Sequence, residues 1–312
     1  MHFEPEVLER LKQLEEKYAA MGQNMQSYLE GLLYADFLKY WDYIHLDVLL
    51  NLQTPRTSFP DEEIFIVYHQ ITELYFKLSI KAIKQITDAE ERLDAATLTK
   101  YIKRVNDYFT HLVQSYEIMV DGMDKEQFLK FRMSLLPASG FQSAQYRIIE
   151  ILSTDAQNLI YQGSREEVTS AADPKDYYEY FYWKMGGKEL ATGKKTLTLK
   201  QFEEKYTPEF LHLIDTYATR NLWQCYKALP EKEQANEALI HQLREMDLNI
   251  EVRWPLMHYK SAVRYLQKDP EDIAATGGTN WQKYLPPRFQ KIYLFPDLFS
   301  EEEKAMWGKS TK

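Results

Sequence analysis

Two histidines, an arginine and a glycine-rich turn are the parts of this 312-residue chain best suited to do chemistry together. The first histidine lies in Phe65-Ile66-Val67-Tyr68-His69-Gln70-Ile71-Thr72-Glu73-Leu74, a stretch apolar enough for a buried helix. Residues four apart share a helix face, so Phe65, His69 and Glu73 form one row. An imidazole in that row can donate or accept a single hydrogen bond near neutral pH. Arg132 is flanked by Phe128, Phe131 and Leu135, which argues for burial. A buried guanidinium requires an anion, and its planar fork matches a carboxylate with two parallel hydrogen bonds. His258 follows Trp254 by four and shares its face if the segment is helical. Its imidazole is a natural metal ligand. In Thr276-Gly277-Gly278-Thr279 the missing side chains let backbone and hydroxyl approach a ligand closely. Each feature alone has a plain reading: a satisfied core histidine, a capping arginine, a surface loop. Together they describe a pocket for a cofactor and a carboxylate-bearing ligand.

The elements that must position these groups read as helices. Leu8, Leu11, Leu14 and Tyr18 form one stripe of an amphipathic helix over residues 5–32. An aromatic-rich segment follows to residue 53, and Thr54-Pro55-Arg56-Thr57-Ser58-Phe59-Pro60 breaks the chain. Pro60 and the acidic Asp61, Glu62 and Glu63 suit a helix N-terminus, and that helix should run to about Thr87. Further helices are expected at about Ala95–Met123, Lys125–Met133, Phe141–Tyr161, 199–228 and 231–267. Residues 163–198, with Gly163, Gly186, Gly187 and Gly193, read as an excursion with a small hairpin. The tail from Lys268 is loop-rich. No repeat or linker composition divides the chain, so the reading is one all-α helical domain over residues 1–312.

Composition removes other classes. The chain is 45% hydrophobic and 27% charged with a formal charge of −9, a poor match to a phosphate backbone, so no nucleic-acid partner is expected. Cys225 is the single cysteine, which rules out an internal disulfide and any multi-cysteine metal site and fits a reducing cytoplasm. The charged N-terminus does not resemble a signal peptide, and no apolar run reaches membrane-spanning length. The run from Gly187 to Thr196 imitates a phosphate loop. Its glycines are one residue too far apart, and Lys195 stands where the hydroxyl residue belongs.

Taken in order, these segments resemble the tryptophan 2,3-dioxygenase family. Tyr40-Trp41-Asp42-Tyr43-Ile44-His45-Leu46-Asp47-Val48-Leu49-Leu50 is similar to the family's Y-x-x-Y-L-x-L-D-x-L-L. Asp61-Glu62 with Phe65-Ile66, His69-Gln70 and Glu73-Leu74 follows its D-E-x-x-F-I-x-x-H-Q-x-x-E-L-W. Phe131-Arg132, Leu135 and Ser139-Gly140-Phe141-Gln142-Ser143 match F-R-x-x-L-x-x-x-S-G-F-Q-S, the most specific piece. Trp254, His258 and Arg264 match W-x-x-x-H-x-x-x-x-x-R, and Thr276-Gly277-Gly278 and Tyr284-Leu285 match the T-G-G and Y-L beyond.

The resemblance implies an all-helical bundle enclosing one non-covalent b-type haem per subunit, with O2 as co-substrate. The activity implied is opening of the indole C2–C3 bond of L-tryptophan to give N-formylkynurenine. His258 would be the proximal iron ligand and His69 the distal histidine facing the indole N–H. Arg132 would hold the substrate carboxylate, Thr276 its ammonium or carboxylate end, and Phe65 would pack on the indole. Ile66, Val67, Tyr68, Phe128, Ser139 and Gly140 would complete the lining. Tyr40 and Tyr43, on an N-terminal segment (residues 1–53), would close the pocket of a neighbouring subunit in a homotetramer. Tyr75 stands where the family usually has Trp, and Met257 where Asn is common. Four extra residues precede the T-G-G turn, and Thr279-Asn280-Trp281 replaces Ser-Ser-Gly. These departures motivate two alternatives: oxygenation of another indole or aromatic amino acid, and a non-catalytic haem or aromatic-ligand sensor.

Overall fold

The computed structural model describes residues 3–35, 39–135, 140–168, 173–189, 192–267, 282 and 285–309. The described residues are mostly helical and form no strand, only isolated antiparallel bridges at Ile160–Phe181 and Lys188–Lys195. The all-α expectation holds. The chain divides into two compact units, Met1–Thr54 and Pro55–Lys312.

In the first unit the expected single helix over 5–32 is two helices, α1 (Pro5–Ala20) and α2 (Met25–Leu33). Gly22 takes a φ of 67° between them, a left-handed conformation open to glycine at little cost. Asn24 then restarts the helix by accepting the Gln26 N–H at 2.7 Å, an N-cap that periodicity does not reveal. Two single-turn helices follow, α3 (Tyr40–Tyr43) and α4 (Leu46–Leu49). None of the four helices buries a residue within the chain, and Tyr40 and Tyr43 are each 70% exposed.

The second unit is built on α5 (Asp61–Thr87), which begins and ends where the sequence placed it. It packs against α6 (Ala95–Ser115) and, further along the chain, α9 (Ala144–Ser153). The buried side chains Phe76, Ile83, Leu98, Ile102, Phe109 and Leu112 fill this junction. Truncating one of the enclosed phenylalanines to alanine would cost about 3–5 kcal/mol. The helix expected to reach Met123 stops at Ser115 and resumes as α7 (Glu117–Asp121). Gly122 closes it, because a Cβ there would lie 2.5 Å from the Ile118 carbonyl oxygen. Next, α8 (Lys125–Phe131) is capped by Asp124 and tightens into a 3-10 turn, Arg132–Leu135.

The expected excursion around 163–198 is a chain of 3-10 turns plus the short α10 (Tyr182–Gly186). Its hairpin reduces to the Lys188–Lys195 bridge around Gly193. Lys184, 1% exposed, pins this segment to the following helix α11 (Leu197–Tyr217). Its ammonium pairs with Glu179 at 2.9 Å and Glu203 at 2.8 Å and sits 3.9 Å above the Tyr178 ring. Two short helices, α12 (Leu222–Lys227) and α13 (Glu231–Gln234), lead to α14 (Glu237–Leu248), which lies along α6.

From α14 the chain passes without a break through a π-helical turn, Asn249–Arg253, into α15 (Trp254–Leu266). Pro255 explains the π turn. In a continuous α-helix a proline lacks the N–H owed to the carbonyl four residues back and its ring collides with that carbonyl. A local widening accommodates it. The Trp254 N–H accordingly reaches back five residues to the Asn249 carbonyl.

Candidate functional site

The N-terminal half of α5 is locked to α8. The Asp61 N–H donates to Gln127 Oε1 at 3.3 Å, and the Asp61 carboxylate accepts the Asp124 N–H at 2.5 Å. This clasp brings Phe65 beside Phe131 (5.8 Å between ring centroids) and Phe128 (6.3 Å). Phe128 also packs 4.5 Å from the Tyr265 ring of α15. Phe65 itself lies 4.1 Å from the His69 ring, which realises the expected row. An aromatic face therefore joins α5, α8 and α15.

The His69 ring hydrogen-bonds through Nδ1 to the Phe65 carbonyl at 2.6 Å. A carbonyl can only accept, so Nδ1 carries the proton and Nε2 keeps its lone pair. His69 is exposed to solvent as a residue. The protein around its ring is nevertheless dense enough for desolvation to hold its pKa below the ordinary histidine value, against the Phe65 carbonyl and Glu73. Glu73 is tied down by Gln145, which donates to its carboxylate and its carbonyl at 2.8 Å each.

His258 repeats this arrangement on α15. Its Nδ1 bonds the Trp254 carbonyl at 3.1 Å, again leaving the Nε2 lone pair free. Burial pulls its pKa down to about 4, with the charges of His69 and Arg147 acting in the same direction. The two imidazoles thus lie within electrostatic reach of each other. A run of rings connects them: His69 to Tyr68 (6.4 Å), Tyr68 to Tyr116 (5.6 Å) and Tyr116 to His258 (4.6 Å). Trp254 packs 5.1 Å from Tyr116 and 4.6 Å from His258.

Arg132 is 4% exposed where α8 passes into its 3-10 turn, directly after the fully buried Phe131. Desolvation lowers its pKa. Ile66 and Val67 are half-buried on α5. Tyr68 is buried with its hydroxyl directed to the Leu112 carbonyl and Ser115 Oγ, 3.2 Å each. Gly140 opens the 3-10 turn Gly140–Gln142. Tyr40 and Tyr43 belong to the first unit. Ser139, Thr276, the Gly277-Gly278 turn, Thr279-Asn280-Trp281 and Tyr284 lie outside the described residues.

Several participants escaped the sequence reading. Tyr116, the ring between the two histidines, carries no local signal. A polar group joins α9, α10, α14 and the π turn: the buried Arg147, Glu150, Asp247 and Glu251 with the half-buried Tyr182. Arg147 Nη1 bonds both Glu150 oxygens (2.9 and 2.8 Å) and Tyr182 Oη (2.8 Å), and Tyr182 donates to Glu150. Its signal was readable: Arg147 and Glu150 on the apolar α9, and Asp247 and Glu251 four apart in an apolar run.

A sequence-family model described as tryptophan 2,3-dioxygenase matches residues 30–209. The chain belongs to the tryptophan 2,3-dioxygenase family. The tryptophan 2,3-dioxygenase of Herpetosiphon aurantiacus is 40% identical over 266 residues, 84% of this chain and 96% of the relative. That of a Ruegeria species is 28% identical, covering 86% of this chain and 92% of the relative. That of Bacillus thuringiensis is 27% identical over 91% of this chain and the whole relative. Within the family frame, His69 and Arg132 fall inside the matched span and His258 lies beyond it. The link between His69 and His258 is the run of ring contacts through Tyr68 and Tyr116. No described helix is long and apolar enough to cross a membrane.

Proposed function

We propose that this protein is a haem-dependent dioxygenase that opens the indole ring of L-tryptophan with O2, giving N-formylkynurenine. The observation that carries the reading is the pair His69 and His258, each neutral with Nε2 unprotonated, at the two ends of one run of rings. A histidine must be neutral to ligate a metal, and His258 has the right protonation, the right free nitrogen and an aromatic enclosure. These residues fit a single-histidine-ligated haem b. When bound, the haem supplies activation of O2.

The protein's own groups supply orientation. His258 Nε2 would ligate the iron, its ring fixed by the Trp254 carbonyl. His69 Nε2 accepts the indole N–H, and no proton need leave the substrate for that bond to act. Phe65 packs against the indole, with Ile66, Val67 and Phe128 beside it. Arg132 pairs with the substrate carboxylate, an arrangement that converts a diffusing substrate into an oriented one. Thr276, Ser139 and Gly140 complete the amino-acid end. Both oxygen atoms enter the product as the C2–C3 bond opens. The exposed Tyr40 and Tyr43 close the pocket of a neighbouring copy in a homotetramer, one haem to each subunit. The activity named for the related proteins, the lone cysteine and the charge balance support a cytoplasmic catabolic enzyme.

The test is the optical spectrum of the dithionite-reduced protein with and without L-tryptophan, followed by product mass under 18O2. A haem Soret band with a product carrying two labelled oxygens is expected. A product with one labelled oxygen would make the enzyme a monooxygenase, and haem without turnover on any indole would make it a sensor.

A further inference from the structure

The π turn ahead of α15 creates a debt in backbone hydrogen bonding that is met by one side chain. In the widened turn each N–H reaches five residues back, as Trp254 does to Asn249. The next bond in that ladder would run from residue 255 to the Ile250 carbonyl, but residue 255 is proline and has no N–H. Ile250 is fully buried, so water cannot substitute. Tyr146 of α9 fills the place: its hydroxyl donates to the Ile250 carbonyl at 2.6 Å.

Tyr146 is itself fixed. Its ring lies 5.5 Å from Phe76, Phe76 lies 5.8 Å from Trp254, and the Arg147 guanidinium lies 4.7 Å from the Tyr146 ring. On its opposite side the turn is held by Asn249, which donates to Asn106 Oδ1 at 3.1 Å and accepts from Arg253 Nη1 at 2.7 Å. A π turn rotates everything after it relative to an unbroken helix. The direction in which His258 leaves α15, two turns on, is therefore set by a backbone conformation that Tyr146 completes.

We propose that Tyr146 is a positioning residue for His258, acting by satisfying the Ile250 carbonyl that Pro255 leaves without a backbone donor. This rests on the reading of His258 as the haem ligand. The role belongs to the hydroxyl, not the ring, and it exists only because residue 255 is proline.

The experiment is a double-mutant cycle on the full chain with Tyr146→Phe and Pro255→Ala, read three ways: the melting temperature of the haem-free protein, the haem dissociation constant, and the iron–imidazole stretching band of the reduced holoprotein. Tyr146→Phe alone should lower the melting temperature, weaken haem binding about tenfold and shift the iron–imidazole band. In the Pro255→Ala background residue 255 regains its N–H, and Tyr146→Phe should then change haem affinity by less than about twofold. If Tyr146→Phe has the same effect in both backgrounds, or leaves the iron–imidazole band where it was, the proposal is overturned. Should Tyr146→Phe prevent folding, recovery of a folded protein on adding Pro255→Ala supports it and failure to recover refutes it. A wild-type chain that binds no haem would instead sink the functional reading, while the melting-temperature cycle would still report whether the hydroxyl and Pro255 are coupled.

Discussion

His69 and His258 are held by the same device: each ring bonds through Nδ1 to the carbonyl four residues earlier on its helix, Phe65 at 2.6 Å and Trp254 at 3.1 Å. The bond costs nothing in additional structure, because the helix brings that carbonyl within reach. It leaves both Nε2 atoms as lone-pair donors. One sequence spacing thus yields two chemically equivalent imidazoles, and what distinguishes them is their surroundings.

Replacing His258 with alanine should abolish the haem Soret band and turnover together, because no second histidine shares its position on α15. Circular dichroism should remain helical, since the ring is packed at the edge of the core. Retention of full activity in this variant would remove the ligand assignment.

His69→Ala should keep haem bound and reduce turnover without eliminating it, as expected if the ring orients substrate and does not act as an essential base. Desolvation by the protein around its ring holds the His69 pKa below the ordinary histidine value. The neutral, accepting form is therefore present through neutral pH and is lost only as pH falls below the usual histidine range. A kcat/KM profile with a limb at or above the ordinary histidine pKa, assigned to His69 by its absence from the alanine variant, would contradict this.

Arg132→Leu should act mainly on KM, raising it by about ten- to a hundredfold. A hydrogen-bonded ionic contact is worth roughly 1.5–3 kcal/mol, and each 1.4 kcal/mol is about tenfold. The same variant should discriminate less between L-tryptophan and an indole lacking the carboxylate. An unchanged KM would take the anchor role from Arg132.

The buried acids Asp247 and Glu251 make stability fall as pH rises. Asp247 is fully enclosed; its Oδ2 accepts the Phe295 N–H at 2.9 Å, while Oδ1 has no partner among the described residues. Burial raises its pKa to about 7, and Glu251 is displaced the same way, first by burial and then by Glu150 and Asp247. A raised carboxyl pKa in the fold means that the unfolded chain ionises first. The neutral-acid contribution is complete below about pH 4 and is lost as pH climbs through about 7. Asp247→Asn should remove Asp247's share of this slope, a differential on the order of 2–4 kcal/mol between pH 4 and 8, and leave that of Glu251. Urea melts of both proteins at the two pH values measure it, and parallel behaviour would show that Asp247 is ionised in the fold.

The sequence alone determined which residues sit in line along each helix. Phe65 and His69, and Trp254 and His258, are paired by helical periodicity, which is local. The bounds of α5 were legible for the same reason: Pro60 and three acidic residues fit a helix start wherever the chain goes. The break at Gly22 and the end of α9 at Ser153 were not read from periodicity, because helix-compatible residues resume within a few positions of Gly22-Gln23-Asn24 and Ser153-Thr154-Asp155, and capping rather than periodicity stops each helix. Motif order carried the family and, with it, the roles proposed for His258 and Arg132. Tertiary structure decided what bridges those roles. Tyr116 lies 47 residues after His69 and 142 before His258, separations over which no periodicity operates, yet its ring packs against His258 and against Tyr68, the neighbour of His69. Pro255 announces a disturbance in the helix, but nothing near it in the chain names the hydroxyl that completes the turn. That partner, Tyr146, comes from a different helix, and only the packing of α9 against α5 brings it there.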